Sequence, residues 1–140
     1  MSEPLLYLSG PISAEHAAHC LAWRHEVRLL LPAWQILDPC RGREHDLRRT
    51  SYTPNELRCR DLTDIKASRV VLCHPDIPDL AYLGIGTWGE CMIAGLVWHK
   101  PVVLVTERED VREHPWVRSA VVRNFTELAA ACKYIEEVWG

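Results

Sequence analysis

Three separate stretches of the chain carry side chains that could take part in catalysis, and the most informative is residues 84–90 (GIGTWGE). Its three glycines allow the backbone to approach a ligand closely. We predict that a helix begins here, with Thr87 as its N-cap and Glu90 in its first turn, where the positive end of the helix favours an ionised carboxylate. An ionised carboxylate is suited to act as a nucleophile. The same spacing also matches a capping box, in which Glu90 would only stabilise the start of the helix.

The second stretch is the turn in residues 7–13 (YLSGPIS), which follows an apolar run. A glycine-containing turn after a first strand can hold phosphate or sugar oxygens, although many α/β proteins use such a turn for packing only. The third stretch contains Asp61 and Asp64, which lie one turn apart on a predicted helix. We interpret Asp64 as part of a solvated acidic face, and Asp61 as a carboxylate that the helix could offer to the same pocket.

Metal-ligating patterns do not appear in the sequence. The seven histidines form no arrangement typical of a metal site, and the six cysteines include no C-x-x-C pair. We therefore expect no metal and no cofactor, and we expect reduced cysteines in a cytoplasmic protein. Trp88 stands close to Glu90 and could stack on a base, whereas most other tryptophans are interpreted as core or interface residues.

Charge and length narrow the class of ligand. The formal net charge is −3 and there is no long basic run, which argues against a nucleic-acid polymer as the main ligand. Small anions remain compatible with this charge, because backbone N–H groups at a helix start can bind phosphate. No apolar run approaches the roughly 20 residues of a membrane-spanning helix, and the first residues do not match a secretory signal. The 140 residues predict a single domain over residues 1–140 without a membrane partner.

Strands and helices alternate along the chain. We predict strands at residues 5–9, 34–37, 70–73 and 102–105, with a weaker one at 120–123. We predict helices at residues 14–31, 54–68, 87–99 and from a cap at Thr126 onward, the last three beginning at capping residues and the third apolar nearly all round and therefore buried. Residues 38–51 are interpreted as a mobile loop, of about the length at which loops tend to be functional or disordered, and residues 74–86 as a second loop.

This alternation predicts a parallel sheet with helices on both faces. Ligands of such sheets bind beyond the carboxyl ends of the strands, where the strand order switches. The prediction directs attention to residues 10–13 and 74–90, and we expect both to line one pocket.

Residues 7–13, 60–76 (RDLTDIKASRVVLCHPD) and 84–105 (GIGTWGECMIAGLVWHKPVVLV) together resemble the nucleoside 2-deoxyribosyltransferase family and its nucleotide N-glycoside hydrolase relatives. The order and spacing agree over roughly residues 5 to 105. The resemblance implies a flavodoxin-like, doubly wound sheet of about five parallel strands with helices on both faces. It also implies a homodimer or higher homo-oligomer, which the six tryptophans favour as well.

The resemblance assigns roles to individual residues. Glu90 matches the nucleophile, which attacks the anomeric carbon and forms a glycosyl-enzyme ester. Asp61 matches the residue that aids proton transfer at the departing base, and Tyr7 the residue that places the nucleophile. Water resolves the ester in hydrolases and a second base does so in transferases, and the anomeric configuration should be retained. The matching substrate-binding residues are Ser9, Gly10, Pro11, Ile12, Ser13, Gly84, Gly86, Thr87 and Trp88.

The sequence departs from the family pattern at two positions. Six residues before the nucleophile, the transferases tend to have Asp and the nucleotide hydrolases Ser, whereas this chain has Gly84. Asp76 or Asp79 could reach the pocket instead. Arg69 replaces an acidic residue before the third strand, a change that we interpret as structural.

Three functional hypotheses follow. The leading one is cleavage of an N-glycosidic bond, or base exchange, on a nucleoside or nucleoside 5′-monophosphate. The alternatives are a non-catalytic nucleotide-binding or regulatory module and a purely structural or interaction protein. Residues 84–90 also resemble the G-x-G-T-x-x-E turn of cytokinin-activating phosphoribohydrolases, but the Pro-Gly-Gly that precedes that turn is absent.

Overall fold

The central element of the fold is a five-stranded sheet. A computed structural model describes residues 2–79 and 84–140. All four strand pairings in this part of the chain are parallel, in the order β2-β1-β3-β4-β5. The strands are β1 (Leu5–Ser9), β2 (Gln35–Leu37), β3 (Val70–Cys73), β4 (Val102–Val105) and β5 (Arg123–Phe125). This is the strand order of flavodoxin-like folds, so the predicted fold class is confirmed.

Helices cover both faces of the sheet. They are α1 (Ala17–Leu30), α2 (Pro54–Ala67), α3 (Ile85–Met92), α4 (Glu109–Arg112), α5 (Pro115–Ala120) and α6 (Leu128–Trp139). A 3₁₀ turn (Ala14–His16) precedes α1, and a π-helical turn (Ile93–Val97) continues α3. Helices α1 and α6 pack on one face, and α2, α3 and α5 on the other. Among the described residues, no helix is long and apolar enough to cross a membrane.

The central strands are apolar on both faces because helices cover both. Every residue of β3 (VVLC) and β4 (VVLV) is buried, as expected of inner strands of a parallel sheet. Helix α2 begins as predicted, with a complete capping box between Thr53 and Glu56 and with Pro54 at its first position.

The predicted start of α3 is wrong. Its N-cap is Gly84, which has a left-handed conformation (φ 62°), and Thr87 is buried inside the helix. Glycine adopts this conformation without the strain that a Cβ introduces, and the helix therefore begins at Ile85. The predicted capping box does not form, and Glu90 lies beyond the first turn. The prediction that this helix is buried all round is also wrong, because Ile85 and Val97 are largely exposed.

Two further boundaries differ near the C-terminal end. Residues 115–120 form α5, where a weak strand was predicted to begin at 120, and the last strand occupies residues 123–125. Pro115 at the first helical position and the His114 side chain, which accepts a hydrogen bond from Trp116 N, favour this short helix. The final helix is capped by Glu127, one residue after the predicted cap at Thr126.

The loop at residues 38–51 is a series of turns that packs against the rest of the protein. Cys40 and Leu47 are buried, and Asp38 forms ion pairs with two arginines of α1. Its predicted mobility stays a prediction. The second predicted loop, residues 74–86, includes residues 80–83, which lie outside the described residues.

Candidate active site

Three predicted catalytic residues converge beside the carboxyl end of β1. Tyr7 lies on β1, Asp61 on α2 and Glu90 on α3. Both the Tyr7 hydroxyl and the charge of Asp61 shift the pKa of Glu90, which places the three side chains within interaction distance. The strand order switches between β1 and β3, so this is the edge at which ligands of doubly wound sheets bind.

Glu90 is a partly buried residue whose carboxyl group has a strongly shifted pKa. Its pKa is raised to about 7, chiefly by burial and in part by the charge of Asp61, while the Tyr7 and Ser9 hydroxyls and Arg24 act in the opposite direction. The Oε2 atom is buried without a hydrogen-bond partner among the described residues. The expectation that a helix start would favour the ionised form is therefore wrong. Glu90 is too far along α3 for the first-turn effect, and loss of water outweighs the neighbouring donors.

Tyr7 is fully buried and interacts with this carboxylate. Its hydroxyl interacts with Glu90 closely enough to affect both pKa values, but the pair lacks normal hydrogen-bond geometry, and the hydroxyl has no other partner among the described residues. Burial, followed by the charges of Glu90 and Asp61, raises the pKa of Tyr7 well above its ordinary value. Tyr7 is therefore neutral and is available as a hydrogen-bond donor.

Asp61 and Asp64 have different surroundings. Burial raises the pKa of Asp61, while Arg60, whose Nη2 is 3.5 Å from Asp61 Oδ1, lowers it. Asp64 forms a 2.7 Å ion pair with Arg41 of the 38–51 loop, and its side chain is only 14% exposed. The interpretation of Asp64 as part of a solvated face is wrong, because this loop folds over α2.

The turn at residues 9–13 is held close to β3 and α1. Ser9 and Gly10 are buried, and Arg24 Nη2 donates a 3.0 Å hydrogen bond to the carbonyl of Gly10. A Cβ at Gly10 would lie 2.7 Å from the His74 carbonyl oxygen and 2.8 Å from the Trp23 ring, so only glycine fits. Of the other predicted binding residues in this turn, Pro11 is buried and Ile12 and Ser13 are partly buried.

Arg24 links this turn to α1 and to Asp38. Its side chain is fully buried and also donates to the Cys20 carbonyl, and its Nε lies 3.2 Å from Asp38 Oδ1. A buried guanidinium with several acceptors fixes the backbone that it contacts, since loss of any acceptor would leave a charge without compensation.

The predicted binding residues on the other side of Glu90 differ in exposure. Gly86 is exposed, Gly84 and Trp88 are partly buried, and Thr87 is buried. Trp88 lines a cavity of about 350 Å³ together with Met92, Val111, His114, Trp116 and Val117, which α3, α4 and α5 enclose. The predicted role of Trp88 in stacking on a base stays a prediction.

Asp76 does not replace the missing polar residue at position 84. Its carboxylate accepts hydrogen bonds from the Thr106 hydroxyl and from Glu107 N, at the end of β4. Asp79 lies near Glu15 and His16, and the potential ligand atoms of these three residues are within 4.8 Å of one another. Glu15 and Asp79 are exposed, and exposed acidic groups of this kind are common without an ion, so they do not define a metal site.

His74 is a polar residue of this edge that sequence reasoning did not single out. It follows β3 directly and packs against the Trp23 ring, with 5.1 Å between ring centroids. Burial lowers its pKa to about 4, and its Nδ1 is buried without a hydrogen-bond partner in the described part of the chain. Its position after a parallel strand was the available signal.

The fold is shared with solved enzymes over nearly the whole chain. A 2-deoxyribosyltransferase from Bacillus psychrosaccharolyticus is 20% identical, with a TM-score of 0.67 over 93% of this chain and 91% of that one. The Leishmania mexicana 2-desoxiribosyltransferase is 17% identical, with a TM-score of 0.63 over 98% and 99%. The Clostridium botulinum CMP N-glycosidase is 12% identical, with a TM-score of 0.56 over 95% and 98%.

Sequence comparison adds no relatives to these. No protein-family model matches the chain, and a search of curated proteins finds no match. At identities of 12–20%, the structural likeness shows that the chain has the fold of the nucleoside 2-deoxyribosyltransferases.

Proposed function

We propose that this protein cleaves the N-glycosidic bond of a nucleoside or nucleoside 5′-monophosphate, with Glu90 as the nucleophile. The observation that carries the proposal is the convergence of Tyr7, Asp61 and Glu90 at the switch in strand order. The buried Glu90 Oε2 without a partner supports it, because a structural carboxylate is normally paired when it is buried. A nucleophilic carboxylate must keep one oxygen free for the reacting carbon.

The reaction proceeds in two displacements. Ionised Glu90 attacks the anomeric carbon, the bond to the base nitrogen breaks, and Asp61 supplies a proton to the departing base. The neutral Tyr7 hydroxyl orients the carboxylate. Water or a second base then attacks the same carbon and gives its proton to the deprotonated Asp61, the ester bond to Glu90 breaks, and the product retains the anomeric configuration.

The surrounding residues are suited to a flat base and a sugar. Trp88 offers a face for the base, and the backbone of the turn at residues 9–13 offers polar groups for the sugar. The solved structures with this fold include proteins described as 2-deoxyribosyltransferases and as a CMP N-glycosidase, which supports N-glycosidic chemistry.

The test is a product assay with Glu90→Gln. The substitution preserves side-chain size but removes the nucleophile, and we expect base release to fall by roughly a thousandfold or more while nucleoside binding persists. The exposed Glu109→Gln is the matched control and should leave the rate unchanged. A 2-fluoro-2-deoxy nucleoside should leave an adduct on Glu90, visible by intact mass and peptide mapping. Normal base release by folded Glu90→Gln would refute the mechanism.

The absence of a polar side chain at Gly84 favours one alternative, a nucleotide-binding module without turnover. This alternative predicts binding of nucleosides or nucleotides by calorimetry with no free base formed. Product analysis with and without a free acceptor base separates it from the hydrolase and transferase versions of the proposal.

A further inference from the structure

A large cavity rich in arginine lies between the 38–51 loop and helix α2. Its volume is about 1020 Å³. We call it the arginine cavity, and its cationic or titratable lining residues are Arg41, Arg43, His45, Arg48, Arg49 and Arg60. No aspartate or glutamate is among its described lining residues, although the whole chain has a formal net charge of −3. Positive charge is therefore concentrated at this one concave site.

The arginines of the cavity are only partly neutralised by the protein. Arg41 pairs with Asp64, and Arg60 lies beside Asp61. The Nε atoms of Arg43 and Arg60 are buried without a hydrogen-bond partner in the described residues. The side chains of Arg48 and Arg49 have no hydrogen bond or ion pair within residues 2–79 and 84–140.

Such a concentration of like charge is unfavourable unless an anion compensates it. Guanidinium groups match phosphate oxygens, because their planar donors form paired, charge-assisted hydrogen bonds. A nucleic-acid polymer usually requires a basic stripe across a surface. Here the charges surround a single concavity, which favours a compact anion.

The cavity adjoins Asp61, the proposed proton donor. Arg60 contributes to its wall and is 3.5 Å from Asp61, and Arg41 contributes to its wall and is 2.7 Å from Asp64. Asp61 and Arg60 are adjacent residues of α2, so a ligand that reaches Asp61 through its base or sugar lies next to the cavity.

We propose that the arginine cavity binds phosphate groups. We assign these phosphate groups to a nucleotide substrate whose sugar lies at Glu90, an assignment that rests on the proposed function. The other source of the same chemistry is a free phosphate or pyrophosphate ion. The 38–51 loop has four arginines, and all four line this cavity.

The test measures binding by calorimetry in a Glu90→Gln background, in which turnover is blocked. Ligands are a set of nucleoside 5′-monophosphates, the matching nucleosides and inorganic pyrophosphate. Arg48→Ala/Arg49→Ala should weaken pyrophosphate or nucleotide binding at least about tenfold and leave nucleoside binding unchanged. Arg58→Ala is the matched control, because Arg58 is exposed on α2 and does not line the cavity. Both exposed arginines can be removed without disturbing the core, and circular dichroism checks this.

Competition identifies the source of the phosphate. Displacement of a nucleotide by pyrophosphate, without displacement of the nucleoside, indicates that the nucleotide's own phosphate occupies the cavity. Pyrophosphate binding that is additive with a nucleotide indicates a free ion. Equal affinities of the double variant and its parent for every phosphate ligand would overturn the proposal, as would a clear preference for a single-stranded oligonucleotide over mononucleotides. Because these measurements need no turnover, they remain decisive even if no base release is found.

Discussion

Glu90 and Asp61 titrate as a pair of interacting carboxyl groups. Burial and the charge of Asp61 hold the pKa of Glu90 at about 7, and burial raises that of Asp61. Because the charge of Asp61 raises the pKa of Glu90, a single proton shared by the two groups lies mainly on Glu90. The proposed chemistry needs Glu90 ionised and Asp61 protonated, so the reactive form is the one-proton state in which that proton lies on Asp61. This requirement connects the buried geometry to a measurable pH profile.

We expect kcat/KM to pass through a maximum and to fall above about pH 7, where the pair loses its last proton. It should fall again at lower pH as both carboxyl groups become protonated. In Asp61→Asn only Glu90 titrates, so the lower rate should rise with pH to a plateau. Initial rates from about pH 5 to about pH 9 test both profiles. A wild-type rate that continues to rise above Glu90's pKa would exclude Asp61 as the proton donor.

The raised pKa of Glu90 also predicts a gain in stability when the carboxyl group is removed. The folded pKa is about 7 against an ordinary value of 4.5, so ionisation opposes folding once the pH exceeds the unfolded value. The penalty grows as the pH rises to the folded pKa and is then constant. The free energy of unfolding of Glu90→Gln, relative to that of the wild type, should therefore increase by on the order of 2 to 3 kcal/mol from pH 5 to pH 8.

Urea unfolding at both pH values measures this difference, with Glu109→Gln as an exposed control. A difference that does not change with pH would show that Glu90 keeps an ordinary pKa in the folded protein. The expected trade of stability for a reactive carboxylate is common at functional sites.

The close contact between the π-helical turn and α5 predicts a marked difference between two glycines. A Cβ at Gly95 would lie 2.2 Å from the Ala120 carbonyl oxygen, whereas a Cβ at Gly89 would meet no atom within 4 Å. Gly95→Ala must separate the two elements and should cost about 2 to 4 kcal/mol. Gly89→Ala should stabilise α3 by about 0.5 to 1 kcal/mol. Thermal unfolding compares the two variants, and an equal effect of both would contradict the packing described.

The main elements were predictable because their signals are local. The apolar runs of β3 and β4, and the Thr53-Pro54 start of α2, each specify a structure within a few residues. The start of α3 was not predictable in this way, because threonine is a more favourable N-cap residue than glycine and Thr87 was therefore the better candidate than Gly84. The left-handed backbone at Gly84, which decides that boundary, has no signature in a stretch with three glycines.

The candidate site was predictable to a similar extent. Tyr7, Asp61 and Glu90 were identified from their segments, and the structure brings them together. The burial that raises the pKa of Glu90 arises when α3 packs on β1 and β3, which are distant from it in sequence. The sequence showed residues 38–51 only as a polar loop. The cavity that its arginines line could not be predicted, because it exists only once the loop folds over α2.

Association of subunits is expected from the exposed apolar side chains around α3 and α5. Ile85, Val97 and Trp116 are 76%, 62% and 64% exposed. Burial of this surface in a homodimer would remove apolar area from water, and Trp116→Arg should then shift the protein towards monomer. Light scattering at micromolar concentration measures the effect, with Leu29→Arg on the exposed side of α1 as control. A wild-type protein that is monomeric under these conditions would contradict the prediction.

The position of β1 between β2 and β3 determines when the site can form as the protein folds. β1 is the first strand in the chain, yet one of its two partners begins only at Val70. Contacts between distant segments form slowly, because closing the intervening chain costs entropy. A chain still being synthesised therefore cannot form the proposed site until β3 and the helix carrying Glu90 have left the ribosome. Activity regained after dilution from denaturant should accordingly report completed folding, and lag behind the early recovery of helical structure.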